Sequence, residues 1–142
     1  MTAIGLWNIA SERPDHPAVI GPDGRRVSYG ELAATANRYA RGLQSLGLQP
    51  GDCIVVMLPN GVEVPEVYFA AVQIGLYVVM VNWHLTGPEL AYILEDCGAK
   101  AFVAHERFAN TVVHNGLDEK ARFAVGAIPG FRSLAEIGRA HV

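Results

Sequence analysis

Three short apolar runs constrain the fold of this 142-residue chain more than any other feature: Cys53–Leu58 (CIVVML), Tyr77–Val81 (YVVMV) and Ala101–Ala104 (AFVA). The first is apolar without alternation and is bounded by turn residues, the pattern of a strand buried on both faces of a parallel sheet. The second is rich in β-branched and aromatic residues and reads as another parallel, central strand. The third run is read as a strand of the same kind, and Phe123–Ala127 as a fourth.

Helical patterns fill the gaps between these runs. Ser28 with Glu31 has capping-box spacing, and Leu32, Ala36, Tyr39, Leu43 and Leu46 follow on one apolar face until Gly47 stops the helix. Val62–Ile74 predicts a mostly buried helix closed by Gly75. Thr86 with Glu89 repeats the capping box, Pro88 sits in the first turn where it is tolerated, and Leu90, Ile93, Leu94 and Cys97 form the buried stripe before Gly98. A helix over Glu106–Asn115 with Phe108, Val112 and Val113 inward, and a last helical turn beginning at Leu134–Ile137, complete the series. Ahead of it all, Ala18–Ile20, the turn Pro22-Asp23-Gly24 and Arg26–Tyr29 predict a short β-hairpin. The expected fold is therefore α/β: alternating βαβ units with a mostly parallel sheet covered by helices on both faces, preceded by the hairpin.

Composition agrees and excludes some functions. An apolar fraction of 51% and a charged fraction of 18% are those of a globular chain. At this length it buries roughly 68–70% of its unfolded surface. A net charge of −3 leaves no electrostatic footprint for nucleic acid. The apolar stretch from Val67 is broken by Gln73 and Gly75 and flanked by Pro65, Glu66 and Asn82, short of the ~20 residues a membrane span needs. The Met1 end lacks the basic and apolar regions of a signal peptide, so a reducing, cytoplasmic setting is expected. Cys53 and Cys97 are then read as reduced thiols acting as small hydrophobes, with a disulfide or redox pair as the alternative.

In an open α/β sheet, chemistry gathers at the C-terminal ends of the strands. Those ends are Pro59-Asn60-Gly61, Asn82-Trp83-His84, His105-Glu106 and Gly126. The only two lysines, Lys100 and Lys120, follow no glycine loop, so no P-loop is present, and G-x-G-x-x-G is absent. His16, His84, His105, His114 and His141 show no metal-ligand spacing. His84, beside Trp83, would need a partner to fix its tautomer before it could act as a base, and it reads better as a loop histidine packed on a neighbour. No G-x-S-x-G elbow exists; Ser28 is taken by a cap, and Ser11 and Ser45 lie in or beside helices. Asn60 and Asn82 read as turn or cap residues. No catalytic, cofactor-binding or metal-binding residue is assigned.

The segments PDHPAVIGPDGRRVSYGELAATANRYARGL and GLQPGDCIVVMLPNGVEVPEVYFAAVQIGLYVVMVNWHLTGPELAYILEDCGAKAFVAHERF, taken in order, resemble the N-terminal portion of the AMP-forming acyl-CoA synthetases. These belong to the adenylate-forming enzymes, with luciferases and peptide-synthetase adenylation domains. Ser28–Leu32 (SYGEL) is similar to the first conserved block of the family and Gln73–Thr86 to the second. Asn82-Trp83-His84-Leu85-Thr86 looks most like bacterial fatty-acyl-CoA ligases. The resemblance runs from about Leu6 to at least Phe108, and more loosely to the end.

It implies a fatty-acid–CoA ligase that uses ATP and Mg²⁺ to make an acyl adenylate and then transfers the acyl group to CoA. Both matched blocks are architectural in the family, and its Ser/Thr/Gly-rich phosphate loop, acidic and arginine residues and C-terminal lysine have no counterpart here. Residues 1–142 are therefore expected to be an N-terminal subdomain that binds no cofactor and is inactive alone. Its expected partner is the remainder of the ligase, with self-association through exposed edges. A non-catalytic remnant or interaction module, and another adenylating enzyme such as an aryl-CoA ligase or adenylation domain, are the alternatives.

Overall fold

The computed structural model describes residues 5–112 and 116–139. A first helix, α1 (Leu6–Glu12), leads into the antiparallel hairpin β1 (Pro17–Ile20) and β2 (Arg26–Ser28). There follow α2 (Tyr29–Ser45), β3 (Cys53–Met57), α3 (Glu63–Gln73), β4 (Tyr77–Met80), α4 (Gly87–Asp96) and β5 (Ala99–His105). A 3₁₀ turn (Glu106–Phe108) runs into α5 (Ala109–Val112), and β6 (Arg122–Val125), β7 (Arg132–Ser133) and α6 (Leu134–Arg139) complete the described chain. The five strands β3 to β7 form one sheet in the order β4-β3-β5-β6-β7, every adjacent pair parallel.

Local signals set the element ends. Ser28 caps α2 by accepting from the Glu31 N–H at 3.1 Å, and its hydroxyl donates to the Glu31 carboxylate at 3.2 Å. The full capping box forms at α4, where Thr86 Oγ1 accepts from Glu89 N–H and Glu89 Oε2 accepts from Thr86 N–H at 2.8 Å. Helix α2 ends in a Schellman motif: Gly47 at φ +93° donates to Gln44, and Leu48 donates to the Leu43 carbonyl. Helix α3 ends the same way, Gly75 donating to Val72 and Leu76 to Ala71. In both, the apolar residue after the glycine drops into the core that its helix covers (Leu48 with Leu43, Leu76 with Ala71) and turns the chain into the next strand.

Alternation along the strands makes two cores. Ile54, Val56, Ala101, Val103 and Phe123 face Leu43, Val67, Ala71 and Ile137 of α2, α3 and α6. Val55, Met57, Phe102, Ala104 and Ala124 face Leu90, Leu94 and Val112 of α4 and α5. The expected α/β architecture with helices on both faces is what forms.

Several expectations are corrected. Tyr77–Val81 is not central: β4 pairs only with β3 among the described strands, and Tyr77 and Met80 are 67% and 54% exposed. Leu46 is an exposed C-cap rather than part of the inner face, because the helix turns off before that residue rotates inward. The helix expected over 106–115 begins as a 3₁₀ turn, at whose start the His105 ring accepts from the Arg107 N–H. Phe108 and Val112 do point inward; Val113 and Asn115 lie outside the described residues. The last full strand is Arg122–Val125, stopped by Gly126 at φ +86°. Helix α1 and strand β7 had no strong periodic signal and emerge from packing.

Candidate functional site

Each parallel strand delivers its loop to the same end of the sheet, and these loops meet the hairpin turn around a cleft of about 660 Å³. Leu58, Pro59, Asn60 and Gly61 leave β3, Trp83 follows β4, His105 ends β5, and Arg107 and Phe108 lie on the turn beyond it. Pro22, Asp23 and Arg25 close the opposite wall. Three of the four strand ends singled out from sequence thus line one cavity. The fourth, Gly126, joins them indirectly, through the Ala127 N–H donated to Glu106 Oε2 at 2.9 Å.

The walls differ in chemistry. One is aromatic: Trp83 stacks on His84 at 3.6 Å between ring centroids and lies nearly parallel to Phe108 at 6.4 Å. Trp83 is still 58% exposed, which leaves apolar ring surface open to a ligand. His105 lies edge-on to Phe108. Its Nδ1 accepts from the Arg107 N–H at 3.0 Å, so Nε2 carries the ring hydrogen and is its remaining donor. The other wall is ionic, with Arg25 paired to Glu63 at 3.8 Å and Asp23 accepting from the Arg25 N–H at 3.0 Å.

No Ser, Thr, Cys, Lys or Tyr side chain is among the residues lining this cleft. Lys100 lies near the opposite end of the sheet, at the start of β5, and Lys120 belongs to a 3₁₀ turn capped by Asp118. Asn82 is a turn residue as expected, its Oδ1 accepting from the His84 N–H at 2.9 Å. His84 packs on Trp83, also as read from sequence. His114 and His141 lie outside the described residues. Among the described residues no three His, Cys, Asp or Glu side chains gather as a metal site. No described helix is long and apolar enough to cross a membrane.

Two features escaped the sequence. Glu66, on the face of α3 that meets α2, is only 5% exposed. Burial first, then the charge of Glu63, pushes its carboxyl up to about 7 against the pull of Arg25 and Arg38. Tyr39 beside it is pushed up to about 12, by burial and then by Glu66. The signal available was a lone carboxylate inside an otherwise apolar helix. The second feature is that Cys53 and Cys97, distant in sequence, come near enough to act on each other's thiol.

The parallel sheet with helices between its strands and a leading hairpin is shared with the N-terminal domains of adenylate-forming enzymes. Residues 6–130 match the AMP-binding enzyme family, and the chain belongs to it. It is 34% identical over 103 residues to a fatty acid–[acyl-carrier-protein] ligase, ScoC, of Streptomyces coeruleorubidus, covering 72% of this chain and 20% of that protein. Against a feruloyl-CoA synthase of an Amycolatopsis species it is 33% identical over 110 residues, covering 77% of this chain and 22% of the other. The N-terminal domain of FACL13 from Mycobacterium tuberculosis superposes with a TM-score of 0.80 at 29% identity, covering 96% of this chain and 35% of that one. The chain thus spans about a fifth of the length of the curated relatives it matches.

Proposed function

We propose that this chain is the N-terminal part of a fatty-acid–CoA ligase, which activates a carboxylic acid with ATP to an acyl adenylate and passes the acyl group to CoA. In this reading residues 1–142 supply sheet, helices and one wall of a site whose ATP, Mg²⁺ and CoA ligands come from elsewhere in the ligase, and the working location is the cytoplasm. The observation that carries it is the family match over residues 6–130. The fatty-acid class draws support from the ligase ScoC and from the Asn82–Thr86 segment. Of the cleft's cations, Arg25 is engaged by Glu63 and Arg107 lies on the turn after β5, and neither lysine lines the cleft.

The aryl-acid alternative has an observation of its own, the feruloyl-CoA synthase match, together with the exposed surface of Trp83 in the cleft. Acid-dependent ATP–pyrophosphate exchange, assayed with fatty and aromatic acids on the pure 142-residue chain, is expected to give no signal. Exchange above the no-protein blank would refute the division of labour. The coding sequence past Val142 gives a second test. A Ser/Thr/Gly-rich loop carrying lysine supports the ligase reading, and an immediate stop codon supports a non-catalytic remnant of the same ancestry.

A further inference from the structure

We propose that Cys53 and Cys97 form a thiol–disulfide exchange site, a dithiol that a low-molecular-weight disulfide converts into an intrachain cystine. Two independent periodicities put the two cysteines on one face of the sheet. Along β3, Cys53 shares the parity of Val55 and Met57, which belong to the core covered by α4. Along α4 and its cap, Leu90, Leu94 and Cys97 form the stripe packed on that same core. Strand register then fixes the height. The Cα partner of Cys53 is Ala99, two residues beyond Cys97, and Gly98 at φ +59° folds the end of α4 back into β5.

The two thiols lie near enough to act on each other's titration, and Cys97 Sγ also lies 3.8 Å from the Leu94 carbonyl. Both residues are free and partly exposed, so a small disulfide can reach them. Burial first and Cys53 second hold the Cys97 thiol above its ordinary value.

In the exchange, one cysteine gives up its proton and its thiolate attacks a sulfur of RS–SR. A mixed disulfide forms and one RSH leaves. The second cysteine loses its proton and attacks the sulfur of the first, closing the Cys53–Cys97 bond and releasing another RSH. The dithiol has then lost two electrons and two protons, and the small disulfide has gained them. The bond would tie the start of β3 to the end of α4, at the opposite end of the sheet from the cleft. This dithiol stands apart from the ligase reading, since nothing in it uses acid, ATP or CoA.

The test equilibrates the full 142-residue chain with graded ratios of reduced and oxidised glutathione, in buffer and in concentrated urea. Samples are alkylated and read by intact-mass and peptide mass spectrometry. The expected product in buffer has lost two hydrogens and yields a peptide joining Cys53 to Cys97. A fold that holds the sulfurs together should favour closure by about 10- to 1,000-fold over the unfolded chain. A second readout is the thermal midpoint, expected to rise by about 5–10 °C in the closed form. Closure no more favourable in buffer than in urea would overturn the proposal. So would two glutathione adducts, or a cystine between chains, as the main product in buffer.

Discussion

Replacing Glu66 by glutamine tests whether a buried carboxylate limits the stability of this fold. The side chain sits at the α2–α3 contact, 5% exposed, with Arg25, Glu63 and Arg38 acting on it and Tyr39 feeling its charge in turn. Its carboxyl, ordinarily near 4.5, titrates at about 7 in the folded chain. In the unfolded chain it loses its proton near the ordinary value. Between those two pH values the native state therefore binds more protons, and stability falls as pH rises. The displacement corresponds to a ceiling of about 3 kcal/mol. Water reaching the edge of the α2–α3 contact should reduce that to roughly 1–2 kcal/mol. Glu66→Gln keeps the shape and removes the proton, so the variant should match the natural chain at pH 4 and exceed it by about 1–2 kcal/mol at pH 8. Tyr39, pushed up to about 12, stays protonated throughout and does not confound the comparison. Urea unfolding followed by circular dichroism at several pH values between 4 and 8 reads the difference directly. A difference independent of pH across that window, or a variant less stable at pH 8, would refute the reasoning.

Other perturbations have equally definite outcomes. Phe123→Ala empties a fully buried site where both α2 and α6 rest on the sheet, and should cost about 3–5 kcal/mol in urea unfolding. Gly42→Val sets a side chain against Ile137, where α2 and α6 pack most closely, and the overpacking should cost about 1–3 kcal/mol. Thr86→Ala removes the hydroxyl of the α4 capping box and should cost about 1 kcal/mol, recovered largely by Thr86→Ser. The outer side of β4, which pairs with no other described strand and leaves Tyr77 and Met80 exposed, should make the chain associate at high concentration. Sedimentation should then show Tyr77→Lys shifting it toward monomer, whereas a natural chain that is strictly monomeric would count against that edge as sticky.

Much of the fold was legible because its signals are local. Gly47, Gly75 and Gly98 each mark a helix end, since the C′ position needs a positive φ that glycine adopts without strain. Ser28 and Thr86 cap their helices through residues three positions away, so the evidence for each cap lies within one turn of chain. The candidate cleft was half legible. Parallel strands send their loops to one end, so the listing of strand ends found Asn60, Trp83 and His105, but the hairpin wall carrying Asp23 and Arg25 came only with the packing of that hairpin on the strand ends.

By itself, then, the sequence determined most of the strands and helices, the caps and glycines that end them, the parallel sheet and the family, while α1 and β7 gave no strong signal. These depend on periodicity, caps and turn chemistry over spans of a few residues. Tertiary structure alone decided that β4 is the edge strand among the described ones, that Glu66 is buried against α2, and that Cys53 and Cys97 come near each other at the end of α4. Each of these depends on which distant segments become neighbours. Strand order and helix packing choose those neighbours by the total apolar surface they bury, a sum over the whole chain that no local pattern contains.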